Sequence, residues 1–366
     1  MGEFELIRRF FLRASGSGVA GAGLHGATPA GLGPNGPDAG AIAGPVMLGI
    51  GDDCALLRAP APGQVLAVSC DMLVEGRHFF AGTDPAAIGH KSLAVNLSDL
   101  AAMGAQPLGF TLAIALPAID EAWLSAFCAG MFSLADRHVC PLIGGDTTRG
   151  PLTISVTVFG QVPADQALRR DGARPGDEVW VSGPLGGASF AVACRKAARS
   201  GDAADKQQEA TASDTEINVP ALICPEAGGA ARRLDWPQPQ IALGMALRGL
   251  AHAAIDVSDG VAGDLRHVLA ASSAGGSLGA ELVAADIPLD PCLASLPVEE
   301  ALRYALAGGD DYELLFTAAP QKHQAIRTLC PTAGMIGRVR IGSGILLAGG
   351  DGRSMALEGT GYDHFS

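Results

Sequence analysis

Five apolar runs in this chain end in glycine or a small polar residue and then in aspartate. VMLGIGDD ends at Asp52 and Asp53, VLAVSCD at Asp71 and VCPLIGGD at Asp146. AAIDVSD carries Asp256 and Asp259, and YALAGGDD ends at Asp310 and Asp311. A sixth carboxylate, Asp99, sits in KSLAVNLSDLAAMG. Short apolar runs closed by turn residues read as buried strands, and strand ends bring their side chains together. Nearby lysine to neutralise these carboxylates is almost absent, with four lysines in the whole chain. Converging carboxylates repel, and their pKa values rise unless a cation lies among them. The pattern points to a polyvalent Mg²⁺ site, and Mg²⁺ in proteins usually accompanies phosphate.

With 366 residues the chain is long enough for two domains and a large core. Twenty-five basic residues against 38 acidic ones give a formal charge of −13, so no basic stripe exists to neutralise a nucleic acid. Phosphorylated small molecules remain open if metal ions bridge the charge. The eight cysteines form no CxxC pair, which argues against a zinc site or a disulfide framework and for a reducing, cytoplasmic setting.

Two segments carry competing readings. Arg8-Arg9-Phe10-Phe11-Leu12-Arg13 resembles a twin-arginine export signal, but Phe4, Ile7, Phe10 and Phe11 also make one face of an amphipathic helix. Glu3 and Glu5 suit that helix and not a basic leader. Leu100 to Ile119 holds no charge and has bilayer-spanning length. Gly104, Gln106, Pro107, Gly109 and Pro117 instead divide it into a helix end, a turn and a strand, so no membrane partner is expected.

Residues 14–44 are almost entirely Gly, Ala, Ser and Pro and read as a flexible segment. The GxGxxG at Gly16 to Gly21 has no strand before it and no helix after it, so chance accounts for it. Strands are predicted over 46–50, 65–70, 109–116 and 152–162, with helices over 85–103 and 120–137. The turn-rich stretch Arg169 to Asp177 separates two domains, taken as 1–164 and 165–366. A strand over Val179–Ser182, helices over 188–199, 240–252 and 263–271, and a surface insertion over 200–230 follow.

No GxxxxGK[ST], HExxH or kinase-type HRD occurs. A phosphate site must then use metal ions, arginine and backbone N–H groups. Asp53, Asp71, Asp99, Asp146 and Asp256 are the metal candidates. Each taken alone could be an ordinary turn or cap residue. Arg149 and Arg170 are the arginines nearest these loops, and Arg170 is preferred as a phosphate clamp over a surface ion pair. His78 could contact a ligand or pack beside Phe79 and Phe80.

GEFELIRRFF, GIGDDCALL, SCDMLVEGRHF, KSLAVNLSDLAAMGAQP, LIGGDTTRGPL, RRDGARPGD, AIDVSDG, GGDDYELLF and GYDHF stand here in an order that resembles the bacterial thiamine-monophosphate kinases. The resemblance covers most of 2–12, 46–198 and 236–317 and the extreme C-terminus. It implies a two-domain α/β (α+β) fold of the formylglycinamidine-cycloligase-like ATP enzymes. The N-terminal domain would hold a mixed, largely antiparallel sheet that pairs into a β-barrel in a homodimer, followed by a C-terminal α/β domain. It implies the last step of thiamine diphosphate biosynthesis: ATP phosphorylates thiamine monophosphate with several Mg²⁺ ions in the cleft. The enzyme class is a phosphotransferase with a phosphate group as acceptor.

By motif position the resemblance assigns metal contacts to Asp53, Ser69, Cys70, Asp71, Asp99, Asp146, Asp256 and Asp259. It assigns ATP to Gly145, Asp146, Arg170 and Ser258, and substrate to His78, Asp310 and Tyr362. Asp71, Asp146 and Arg170 form the expected catalytic group. Cys70 stands where relatives have Thr, and a thiol is a poor Mg²⁺ ligand, so that contact requires the main chain or is dispensable. Asp310 stands where some relatives have Glu and has a shorter reach. The acceptor phosphate, with a second pKa of roughly 6, is already anionic near neutral pH, so direct transfer needs no general base.

Other enzymes of the same superfamily and a catalytically silent nucleotide sensor are the rivals. The 14–44 segment has no Cys for selenophosphate synthesis, and the chain ends in HFS without the C-terminal Cys of the hydrogenase-maturation relative. The purine cycloligase remains possible on fold alone but lacks GYDHF. A sensor would keep the aspartates and could dispense with His78, Asp310 and Tyr362.

Overall fold

A computed structural model of the chain describes residues 3–12, 44–203, 229–273, 276–350 and 353–357. The glycine-rich segment, most of the 200–230 insertion and Tyr362 lie outside the described residues. The N-terminal half runs α1 (Glu3–Leu6, continued by a π-turn at Ile7–Phe11), β1 (Val46–Leu48), β2 (Leu56–Leu57), β3 (Gln64–Val74), α2 (Pro85–Ala102), β4 (Gln106–Leu116), α3 (Glu121–Arg137), β5 (Leu142–Arg149) and β6 (Thr153–Pro163). The C-terminal half runs β7 (Glu178–Val181), α4 (Gly187–Ala203), α5 (Gly229–Asp235), α6 (Ile241–Ala246), β8 (Ala251–Asp256), α7 (Val261–Ala271) and β9 (Leu278–Val283). It continues with α8 (Val298–Ala307), β10 (Leu314–Ala318), α9 (His323–Leu329), β11 (Gly334–Ile341), β12 (Ile345–Ala348) and β13 (Ser354–Ala356).

The N-terminal sheet has the order β3-β6-β4-β5, antiparallel except for the parallel β4–β5 pair. It is an open four-stranded sheet; no barrel closes within one chain among the described residues. Along β3 the inner residues Ala67, Ser69, Asp71 and Leu73 alternate with an outer row of Leu66, Val68, Cys70 and Met72. That outer row is apolar yet exposed, with Leu66 at 50%, Val68 at 58% and Met72 at 56%. The C-terminal sheet has the order β13-β12-β9-β11-β7-β10-β8 and is antiparallel except for β12–β9.

Helix α2 links the halves. Asp84 caps its start by accepting the Ala86 N–H at 3.1 Å, and Pro85 fits the first turn. Gly104, at φ +64°, closes its end with the Ala105 N–H bonded to Leu100 O at 2.7 Å. Fifteen of its eighteen residues are buried, among them the polar His90, Lys91, Ser92, Asn96 and Ser98, as in a helix enclosed between two layers. Burying Leu93, Leu97 and Leu100 contributes roughly 2–3 kcal/mol each. Helix α3 crosses it closely because Gly89 and Gly130 meet backbone: a Cβ on Gly130 would sit 1.8 Å from Ala86 O. The main core is continuous from Leu93, Phe110 and Val156 to Ala254, Trp180 and Phe316 in the C-terminal half.

The strands and helices predicted before residue 164 match these elements within a few residues, apart from β3, which runs on to Val74. The first segment is helical: Leu6 and Phe11 are buried in the core, and Arg9 pairs with Glu121 of α3 at 2.6 Å. Leu100–Ile119 is a helix end, a turn and β4, and among the described residues no helix is long and apolar enough to cross a membrane.

Three readings change. The helix predicted over 240–252 stops at Ala246, because Gly249 at φ +71° turns the chain into β8. YALAGGDD is not a strand end. Its apolar part closes α8, where Ala301, Leu302, Ala305 and Leu306 are buried at helical spacing, and Asp310 follows in a loop. Asp71 and Asp146 lie inside β3 and β5, so of the five aspartate endings only Asp256 is the last residue of a strand.

Candidate active site

Strand periodicity turns Ser69 and Asp71 to the inner face of β3, toward α2. The Ser69 hydroxyl donates to Asp99 Oδ2, and the Asp71 N–H donates to Asn96 Oδ1 at 3.0 Å. Asp256 reaches the same region from the buried end of β8. Burial and then repulsion from Asp99 push the Asp71 carboxyl up to about 6 from 3.8. The same two causes push Asp256 up to about 7. Asp99 is also raised by burial, against the Ser69 hydrogen bond and the Arg170 charge.

Three carboxylates, Asp256 buried and Asp71 and Asp99 partly so, with Asp99 repelling both others, offer hard oxygen donors that fit a divalent cation. Among the described residues no three His, Cys, Asp or Glu side chains enclose an ion unaided. Carboxylate oxygens are hard donors of the kind that Mg²⁺ takes together with waters and phosphate oxygens.

Beyond β8 the chain turns through Ser258, Asp259 and Gly260 into α7. Asp264, buried in the first turn of that helix, accepts the Ser258 N–H at 3.1 Å and the Asp259 N–H at 3.2 Å. Burial pushes Asp264 up to about 7. Sequence reasoning did not single it out, although an acidic side chain one turn into the helix after SDG is a recognisable loop-holding signal.

A cavity of about 740 Å³ joins these groups. Asp71, Asp99, Asp256, Ser258, Asp259 and Arg170 line it, and so do His78, Phe80, Lys91, Asp310 and Tyr312. A neighbouring recess of about 460 Å³ shares Asp99 and Arg170 and adds Ser69. His78 is oriented by the Val74 N–H, which donates to Nδ1 at 3.0 Å and leaves the neutral ring's proton on Nε2. Phe80 lies under the Arg199 guanidinium at 4.7 Å, and Arg199 also donates to Ala81 O at 2.6 Å. Lys91, on α2, bonds Asp310 Oδ2 at 3.0 Å. Sequence reading found lysine almost absent near the carboxylates; Lys91 opens the KSLAVNLSDLAAMG motif, but its pairing escaped that reading because its partner is 219 residues away.

The family described as AIR synthase related protein, N-terminal domain, matches residues 51–162. Thiamine-monophosphate kinase of Escherichia coli (strain K12) is 39% identical over 370 residues, covering 100% of this chain and 98% of the relative. The chain belongs to the thiamine-monophosphate kinase family. The crystal structure of thiamine-monophosphate kinase from Stenotrophomonas maltophilia K279a is 43% identical with a TM-score of 0.71, covering 85% of this chain and 92% of that one. AaThiL, solved in complex with AMPPCP and TMP, is 28% identical with a TM-score of 0.66, covering 84% and 90%.

Of the positions matched to thiamine-monophosphate kinases, Asp71, Asp99, Asp256, Ser258, Asp259, Arg170, His78 and Asp310 line one cavity, with Ser69 bonded to Asp99. The others stand apart. Cys70 points to the outer face of β3, where its Sγ lies 3.5 Å from Ser155 Oγ, so its side chain does not face Asp71. Asp71 aligns with Val156 and Leu112, and Leu112 with Gly145. Asp146 pairs with Ala113 in the next row and is exposed on the outer face. Gly145 is required there: at φ +144°, a Cβ would meet Leu112 O at 1.8 Å. Asp53 and Arg149 are exposed outside the cavity, Asp53 donating its N–H to Asp52 Oδ1 at 2.8 Å.

Proposed function

We propose that this chain phosphorylates thiamine monophosphate with ATP, giving ADP and thiamine diphosphate by direct in-line transfer. The observation that carries the reading is one cavity holding the half-buried Asp71 and Asp99 and the buried Asp256, with Asp99 repelling both others, together with Arg170, His78 and Asp310. It is supported by whole-chain likeness to thiamine-monophosphate kinases, one relative of which was solved with AMPPCP and TMP.

Asp71, Asp99 and Asp256 would hold Mg²⁺, with the Ser69 hydroxyl, Asp259 and the Cys70 main chain as further contacts. Bound Mg²⁺ would neutralise phosphate oxygens and align the reacting groups. Arg170 would steady the transferring phosphoryl group, and Ser258 would position ATP over the loop that Asp264 braces. His78 and Asp310 would orient the thiamine monophosphate, with Tyr362 as a third contact. The acceptor oxygen is anionic near neutral pH, so no side chain has to remove a proton.

We assign the chain to two domains divided at 164/165 and to a homodimer in the cytoplasm. The exposed row Leu66, Val68 and Met72 supports pairing of the outer sheet faces into a shared barrel. Asp146 would then act from the side of the sheet that a second copy covers, while Gly145 keeps its place in the row of Asp71. The seven described cysteines are free, which supports a reducing compartment. The reading is tested by incubating the protein with ATP, Mg²⁺ and thiamine monophosphate in a single turnover. Thiamine diphosphate and ADP should form one for one, whereas tight ATP binding with no product would favour a nucleotide sensor.

A further inference from the structure

Lys91 is buried in the middle of α2, its side chain only 6% exposed. A buried ammonium group persists where it is paired, and its ion-pair partner is Asp310. Lys91 Nζ donates to Asp310 Oδ2 at 3.0 Å, and the Tyr312 hydroxyl donates to Oδ1 at 2.9 Å. One donor on each oxygen fixes both the position and the twist of the carboxylate, which lines the cavity.

The backbone beneath is held in an unusual shape. Asp310 has φ +68° and Tyr312 φ +51°, a left-handed conformation that side chains other than glycine rarely take. The Asp310 N–H bonds Ser258 O at 2.9 Å and the Tyr312 N–H bonds Val257 O at 2.9 Å. Lys91 and Asp99 are eight residues apart on one rigid helix, about 12 Å along its axis. Helix α2 thus ties the Asp310 carboxylate to the carboxylate cluster at a set spacing.

We propose that Lys91 and Tyr312 are positioning residues that aim Asp310 at the phosphate-acceptor substrate. The inference rests on the kinase reading above. Neither side chain needs to touch ATP, so their loss should fall on the acceptor alone.

The experiment is steady-state kinetics of the full chain, varying thiamine monophosphate and ATP separately, with wild type assayed first. Lys91→Met should raise KM for thiamine monophosphate about tenfold, the loss of one charged hydrogen bond, and leave KM for ATP within about twofold. Lys91→Arg should recover part of that loss. Tyr312→Phe removes only a hydroxyl and should raise the same KM about threefold, which keeps the test decisive if Lys91→Met does not fold. In an Asp310→Ala background, Lys91→Met should add less than about twofold, since the group it aims is gone. Unchanged acceptor KM in Lys91→Met and Tyr312→Phe would overturn the inference and leave the kinase reading standing. Equal rises in both KM values would do the same, because they indicate a general structural role. A wild-type protein that transfers no phosphoryl group to thiamine monophosphate would overturn both.

Discussion

Asp99 on α2 and Asp256 at the end of β8 face each other across the junction of the two halves, and repulsion from Asp99 adds to burial in raising Asp256 to about 7. Neither half alone would assemble this pair. The N-terminal helix and the C-terminal strand are held in register by the continuous core around Leu93, Leu97 and Ala254. The repulsion is therefore built into the packed fold, and a bound cation would relieve it.

Mg²⁺ affinity should rise with pH through the range 5 to 8. Asp71 is raised to about 6 and Asp256 to about 7 from 3.8, so the folded protein keeps protons there that the unfolded chain has lost. Without metal, these groups lower stability as pH rises from about 4 to 7. Bound Mg²⁺ competes with the same protons, so its affinity should gain up to about tenfold per pH unit for each proton displaced. Titration calorimetry in buffers of different ionisation enthalpy measures both the affinity and the protons released. A pH-independent affinity would remove these two carboxylates from the site.

Asp264→Ala should loosen the turn at Ser258 and Asp259. Two backbone N–H groups lose their acceptor, at a cost of about 2–4 kcal/mol in folding stability. KM for ATP should rise more than KM for thiamine monophosphate, because Ser258 sits on that turn. Denaturant unfolding combined with the two KM values checks this.

Val68→Lys places a charge in the exposed apolar row of β3. A shared barrel between two copies would have to bury that charge, so the variant should sediment as a folded monomer where the wild type sediments as a dimer. The same sedimentation coefficient for both proteins would contradict pairing through this face.

Local pattern carried much of this architecture. The β-branched run Thr153–Pro163 and the charge-poor stretch around Asn96 and Asp99 determine β6 and α2 with little help from tertiary context. Ambiguity entered where composition suits two states. The alanine- and leucine-rich end of α8 reads equally as a strand, and only its packing at Leu302, Ala305 and Leu306 decides for helix. At the site, Asp71, Asp99 and Asp256 were readable because short apolar contexts make isolated carboxylates conspicuous. Lys91 was not, since its meaning depends on Asp310, brought beside it only by the fold. Asp146 reads like Asp71 in sequence, but strand alternation sends it to the opposite face of the sheet.

Asp71 in a metal-dependent phosphoryl-transfer site, as proposed, and Asp71 in a purely structural carboxylate cluster differ in one rate. That rate is thiamine diphosphate formation from ATP and thiamine monophosphate, compared between wild type and Asp71→Asn at saturating Mg²⁺. The variant should fold with wild-type circular dichroism and lose at least about a thousandfold in kcat. A folded Asp71→Asn protein that forms thiamine diphosphate at close to the wild-type rate would leave Asp71 a structural carboxylate.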